Sequence, residues 1–411
     1  MKNLKTVFAG SAAAIAFFCA CNSAQQSTAT ELTKSGINPA DFDTCIAVAY
    51  DYDSKTFVSD TANAKPVKLY TLTNENGMEV CITNFGGRIV SIMVPNKEGE
   101  LVDVACGFDK VDNYFPWNYE TDFGSSVGRY ANRINGGKFT LPGEAEPVVL
   151  DKNNNGFHSL HGGFTGWQYK VYDVVESTDN SLTIKLDSPD GDNKFPGNVS
   201  ATVKFVLNED NAISITYDAT TDKPTVVNMT NHTYFNLSGD LNNTIDESIL
   251  MVNADNYTPA DATYMPTGEI KAVEGTVFDF RKPKAIGTDF ASGDIEIKNA
   301  GGGYDHNWCL NTKGDDKEVC VTLSDPRSGI KMEMYTNEPG VQCYTANFQD
   351  GTRPGKNGIM YQKHCAICLE SQKYPDSPNK YNLPGWEDSN AFVTPSTPYH
   401  SFCMYKFSVE K

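Results

Sequence analysis

The segment Asn228-Met229-Thr230-Asn231-His232-Thr233-Tyr234-Phe235-Asn236 places seven hydrogen-bonding side chains in nine residues, directly after the apolar pair Val226-Val227. All are neutral donors and acceptors at pH 7 except one titratable imidazole. That mixture suits a neutral, hydroxyl-rich ligand such as a sugar better than a phosphate or a nucleic acid. His232 is the candidate acid. A lone histidine beside turn-forming Asn and Thr is more often a hydrogen-bonded structural residue, so the reading depends on what surrounds it.

The chain that must position this segment has 411 residues, 39% hydrophobic and 11% aromatic, enough for a large core. Its formal net charge is −18, which argues against nucleic acid and against an electrostatic hold on anionic lipid. Lys2 and Lys5 precede an apolar run from Val7 to Cys19, the length of a signal-peptide core and too short to span a bilayer. The run ends Phe18-Cys19-Ala20-Cys21 before a Ser/Thr/Gln tract. Residues 1–20 therefore read as a lipoprotein-like signal peptide with Cys21 as the lipidated residue. The expected location is the bacterial envelope, anchored through Cys21, or else the periplasm. Cleavage removes two positive charges and no negative ones, giving −18 − 2 = −20.

Residues 21–66 read as a tether and a segment of uncertain role, in which 44–58 could supply one peripheral strand. From residue 67 period-two patterns and turn signals dominate. Lys68–Leu72 and Glu79–Thr83 flank Asn76-Gly77, a strong hairpin signal. Ile89–Val94, Leu182–Leu186, Ala201–Leu207, Ala212–Tyr217, Ser248–Val252, Glu318–Leu323, Ile330–Tyr335, Val341–Ala346, Cys365–Glu370 and Phe402–Val409 follow as strands. No long stretch carries a helical period. Residues 67–411 are thus expected to form one all-β domain, a large antiparallel β-sandwich. Nine cysteines lie beyond Cys21, mostly inside apolar runs, and read as buried small hydrophobes. Cys365 and Cys368 are three apart in a strand pattern, facing opposite sides, which disfavours a bridge.

Six further islands accompany the opening one: Asn84-Phe85-Gly86-Gly87; Val127 to Ile134; Ser159-Leu160-His161-Gly162-Gly163; Gly303 to Asn307; Pro339-Gly340-Val341-Gln342; and Cys368-Leu369-Glu370-Ser371-Gln372 before Pro375-Asp376. In this order and spacing the chain resembles the aldose 1-epimerase (galactose mutarotase) family from about Val67 onward. The resemblance implies a super-sandwich of mostly antiparallel strands with an open sugar cleft. It implies interconversion of the α and β anomers of free hexoses such as galactose and glucose. Carried over by motif, Glu370 is the general base and His232 the general acid, while Asn132, Arg133, His161, Thr233, Tyr234, Asp305 and Gln342 hold the sugar. Tyr130 stands where a small aliphatic residue is expected, and Trp386 to His400 matches poorly.

The chemistry accounts for these residue types on its own terms. Mutarotation removes a proton from the anomeric hydroxyl and delivers one to the ring oxygen, and closure from the other face reverses both transfers. Each group must serve in both directions with a pKa not far from neutral. A carboxylate and an imidazole suffice, and neither a cofactor nor a metal is expected. Glu370 ends an apolar run, where partial burial would raise its pKa; alone it would read as a strand-end glutamate in a surface ion pair. His161 precedes Gly162-Gly163, a loop able to bring backbone close to a ligand. The resemblance implies that Arg129 is structural and Arg133 faces the ligand, and Asp305 is expected to face the sugar with His306 supporting the loop. His158 carries no assignment, and a metal set of His158, His161 and His306 lacks a tight spacing. Two other readings use the same residues: a non-catalytic sugar-binding lipoprotein, and glycoside cleavage with Asp305 and Glu370 as paired carboxylates.

Overall fold

The computed structural model describes residues 31–119 and 121–410; the expected signal peptide and Cys21 lie outside them. Antiparallel strands dominate, as the period-two patterns predict, and the only α-helices among the described residues are the short Ile295–Asn299 and Ser377–Lys380.

Three sheets organise the molecule. The largest has nine strands, with Ala212–Thr221 and Ile330–Thr336 flanking the C-terminal strand Tyr399–Val409. A four-stranded sheet contains the expected hairpin, Leu69–Thr73 paired with Glu79–Thr83, followed by Arg88–Pro95. The third, of seven strands, runs Lys271–Ala272, Asn256–Thr258, Asp305–Cys309, Gly340–Tyr344, Ile367–Gln372, Tyr234–Phe235, Ala105–Cys106.

Apart from its exposed edge strand Lys271–Ala272, the seven-stranded sheet is largely buried on both faces, and alternation sorts its side chains between two cores. Trp308, Val341, Cys343, Ile367, Leu369 and Phe235 point into the main apolar cluster shared with the nine-stranded sheet. Cys106, Tyr234 and Cys368 belong to the cluster on the opposite side. Register carries the second face further. Asp305 pairs with Tyr344, Tyr344 with Cys368, and Cys368 with Tyr234. One step along, Asn307 pairs with Gln342 and Gln342 with Glu370. Directly paired residues in an antiparallel sheet share a face, so both rows lie on the same side.

Two expectations change. The segment before residue 67 is not a tether where it is described: residues 31 onward belong to one compact unit. Instead of one peripheral strand it contributes Thr44–Ile46, Val48–Asp51, Thr56–Ser59 and Lys65–Val67. Ile37, Phe42, Ile46 and Val67 are buried with Cys106 and Tyr234. These apolar residues are too scattered to signal a strand individually; burial against the second face of the seven-stranded sheet collects them. The second change concerns Asp305-His306, expected on a loop but found on the strand Asp305–Cys309. No disulfide joins the nine cysteines of the described residues, and eight of them are buried.

Candidate active site

Residues from five separate islands meet in a cavity of about 360 Å³ on the second face of the seven-stranded sheet. The register already described explains the central pair. Tyr234 opposes Cys368 and Phe235 opposes Ile367; extending that antiparallel register by two residues sets His232 across from Glu370. Their side chains approach to 3.5 Å between His232 Nε2 and Glu370 Oε1. They are 4% and 2% exposed, and both line the cavity.

His232 is held at its backbone. Its N–H donates to the Ser125 carbonyl, and its own carbonyl accepts from the Gly124 N–H, each at 2.9 Å. Gly124 cannot be replaced freely, because φ is +69° and an added Cβ would stand 1.9 Å from the Ile89 carbonyl oxygen. Its neighbours on the other side, Thr230–Asn231, pair with Ser126–Val127, so the segment is fixed before the imidazole leaves it.

Burial pushes the Glu370 carboxyl up to about 7; His232 opposes this, while Asp305 and Asp122 add to it. A carboxyl so poised can give and take a proton near neutrality. Glu370 Oε2 and His232 Nδ1 are buried without a hydrogen-bond partner in the protein.

Apart from the Asp122 carboxylate, the rest of the lining is neutral or internally compensated. His161 Nδ1 accepts from the Asn132 N–H at 3.2 Å, which leaves the proton of the neutral ring on Nε2. Burial lowers its pKa to about 4, so the ring is uncharged at pH 7. Asn132 adopts φ 63°, and its Oδ1 accepts from the Arg133 N–H at 2.8 Å. Arg133 reaches Asn154 Oδ1 through Nε at 3.3 Å, lies over the Tyr264 ring and stands 3.9 Å from Asp305. Asp305 also accepts from Gln342 Nε2 at 2.7 Å. Its two oxygens are thus steadied from two sides.

Asn132, Arg133, His161, His232, Tyr234, Asp305 and Glu370 all line the cavity, as their motifs imply. Thr233 and Gln342 do not. His232 and Tyr234 are two apart and share a face, so Thr233 turns the other way and is 1% exposed. Gln342 lies beneath Asp305 and spends its amide N–H on that carboxylate. Gly162 does not bring backbone to a ligand either. Its φ is +80°, and a Cβ there would stand 2.1 Å from the Gly128 carbonyl oxygen, so it serves chain-to-chain packing.

The remaining cations and histidines sort as structure. Arg129 donates to carbonyls of Ser188, Pro196 and Gly197 and to Ser188 Oγ. His306, one residue from Asp305, points to the opposite face and packs on Phe278 at 4.7 Å between centroids. His158 bonds Thr263 Oγ1 at 2.9 Å and accepts from the Gly136 N–H. The set His158, His161 and His306 is therefore not assembled. Among the described residues, the group whose donor atoms do come within 4.8 Å of one another is Asp122, His161 and His232.

Sequence reasoning did not single out Asp122, Asn154, Asn155, Tyr264, Tyr344 or Phe348, which complete the lining. None carries a motif signal. They arrive from turns and, for Tyr344, from the strand position paired with Asp305, and only folding gathers them.

Against known proteins, the family profile described as aldose 1-epimerase matches residues 68–389. The chain belongs to the aldose 1-epimerase family. An aldose 1-epimerase of Escherichia coli K12 is 37% identical over 348 residues, spanning 85% of this chain and 97% of that protein. A galactose mutarotase of Mus musculus is 39% identical over 332 residues, 81% and 92% of the two chains. The crystal structure of an aldose epimerase homologue from C. elegans superposes with a TM-score of 0.75 at 27% identity, covering 84% of this chain and all of that one. A galactose 1-epimerase structure from Lactobacillus acidophilus gives 0.72 at 27%, over 86% and 97%. The large antiparallel β-sandwich inferred from the strand patterns is the fold these family members share.

The raised Glu370 carboxyl has a consequence for stability. In the unfolded chain it ionises near 4.5, and in the folded protein near 7. Between those values the native state binds more protons, so this group's contribution falls as pH rises and is fully lost above about 7. Glu370→Gln cannot ionise. The melting temperature of the variant relative to wild type is expected to climb between pH 4.5 and 8, measured by differential scanning calorimetry. A difference flat with pH would mean that Glu370 is not held protonated by burial.

Proposed function

We propose that this cleft interconverts the α and β anomers of free aldoses, galactose and glucose among them, with Glu370 as general base and His232 as general acid. Membership of the aldose 1-epimerase family supports the reaction. The observation that carries the residue assignment is the buried carboxyl, poised near 7, at 3.5 Å from an imidazole inside a cavity rich in hydrogen-bonding groups.

Glu370 takes the proton of the C1 hydroxyl while His232 gives one to the ring oxygen. The C1–O5 bond breaks as C1 becomes an aldehyde. Rotation about C1–C2 presents its other face, the C5 hydroxyl adds to it, and the protons return along the same two paths. No atom is gained or lost. The pair must start with Glu370 ionised and His232 protonated. Their separation leaves an anomeric hydroxyl and a ring oxygen, adjacent on the same carbon, to engage one group each. Asp305, Arg133, Asn132 and His161 fix the ring hydroxyls, and Gln342 acts through Asp305. Asp305 is already bonded to Gln342 and stands beside Arg133, which fits it to hold a ring hydroxyl.

Glu370→Gln should lower kcat for mutarotation by roughly 10²–10⁴ with a much smaller change in KM, read by polarimetry on freshly dissolved α-glucose and α-galactose. His232→Asn should act similarly, and the double variant should lose less than the product of the two. Near-wild-type turnover by Glu370→Gln would reassign the base, with Asp305 next. Because only side chains are used, EDTA treatment and dialysis should leave the rate unchanged. A loss restored by one divalent ion would instead give Asp122, His161 and His232 a metal-binding role.

The reading of location rests on residues outside those described. A basic end, a short apolar run and Ala20-Cys21 support export and a lipid on Cys21. Cys21→Ser should move the protein from the membrane fraction to the soluble one or stall its processing. Equal membrane association of both forms would refute the anchor.

A further inference from the structure

The cleft holds three carboxylates, Asp122, Asp305 and Glu370, and one cation, Arg133. Two of the carboxylates are engaged. Asp305 accepts from Gln342 and stands beside Arg133, and Glu370 faces His232. Asp122 is different. Its Oδ1 is buried and has no hydrogen-bond partner in the protein, although the residue lines the cavity.

This side chain takes no part in the turn it belongs to. The turn is closed by the Asp122 carbonyl, which accepts from the Ser125 N–H at 3.0 Å and from Ser125 Oγ at 2.9 Å. Gly124, two residues on, donates to the His232 carbonyl. One turn thus fixes both the imidazole and the carboxylate beside it. A buried carboxylate oxygen is costly unless something donates to it. The packing leaves that donor to come from the ligand.

Position selects the ligand group, given the proposed function on which this step rests. Glu370 marks the anomeric hydroxyl and His232 the ring oxygen. Asp122 gathers with His161 and His232, one donor atom from each within 4.8 Å of the others, and among the described residues Glu370 is not a member of that group. Asp122 therefore lies toward His161 and away from Glu370. Around a pyranose from C1 through the ring oxygen, the next carbon is C5. In a hexose C5 carries C6, whose hydroxyl swings beside the ring oxygen.

The chemistry of the group narrows the choice further. A carboxylate accepts hydrogen bonds and donates none. It welcomes a hydroxyl or an ammonium at that point and repels a second anion. The one guanidinium able to offset such an anion, Arg133, already stands 3.9 Å from Asp305.

We propose that Asp122 reads the C6 hydroxyl of the bound sugar, making the enzyme selective for aldohexoses over aldopentoses, 6-deoxyhexoses and uronic acids. A sugar without that hydroxyl leaves the buried oxygen with no donor, and a sugar oxidised at C6 sets two anions together.

Anomer exchange followed by proton NMR compares glucose and galactose with xylose, which is glucose without C6. The series is completed by 6-deoxyglucose, 6-amino-6-deoxyglucose and glucuronate. For wild type, kcat/KM should be roughly 10–100-fold lower for xylose and 6-deoxyglucose than for glucose, and lower again for glucuronate. It should be higher for 6-amino-6-deoxyglucose, whose ammonium pairs with the carboxylate. Asp122→Ala should shrink the ratio of glucose to xylose to about twofold. Asp122→Asn, which keeps an acceptor and removes the charge, should hold that ratio while glucuronate gains about tenfold relative to glucose. Ratios within one variant cancel any change in base strength or folded fraction, and the wild-type series needs no variant. Equal kcat/KM for glucose, 6-deoxyglucose and xylose would overturn the proposal. So would an unchanged ratio of glucose to xylose in Asp122→Ala. Absence of turnover with every free sugar would instead overturn the epimerase reading itself.

Discussion

A carboxyl group buried at 2% exposure beside an imidazole is the constraint on which the site depends. Taking a carboxylate out of water is costly unless it is paired or protonated. Here the shift to about 7 shows the cost divided between the two. The near-neutral pKa that proton exchange needs is therefore a consequence of where the strand Ile367–Gln372 lies, between two apolar cores. Leu369 is locked into the main cluster on one face, which leaves Glu370, its neighbour, no choice but the other.

That single alternation organises the rest. The same face presents Asp305, Gln342 and Tyr234 from three neighbouring strands, so charge, brace and aromatic wall follow from one register. A slip of one residue would turn every one of these side chains into the core. The parts that do not come from the sheet are pinned by backbone contacts instead. His232 is held between Gly124 and Ser125, and His161 is tied to Asn132 by its backbone N–H as well as its ring. Most of the groups around the pair are neutral; Arg133 and Asp305 offset each other, and Asp122 adds one further carboxylate.

The N-terminal segment precedes residue 68, where the family profile begins, and still packs into the fold. Its apolar residues enter the core beside Cys106 and Tyr234, while its aromatic hairpin reaches the loop next to His161. Stability and the shape of the cleft are joined through one stretch of chain.

The sequence by itself determined the strand character of the chain, because period-two alternation is a local property and survives in any register. Its islands, through the family they resemble, also pointed to the candidates His232, Glu370, Asn132, Arg133, His161 and Asp305, and all six line the cavity. Direction was less legible. Thr233 and Gln342 belong to the same islands, yet one is turned away by strand alternation and the other is spent on Asp305. Asp122, Tyr264 and Phe348 carry no motif, and residues 21–66 read only as a tether and a segment of uncertain role because their apolar side chains are dispersed. Only the tertiary structure decided those. Burial, pairing across strands and contact between distant loops depend on which surfaces meet, and no local pattern encodes that meeting.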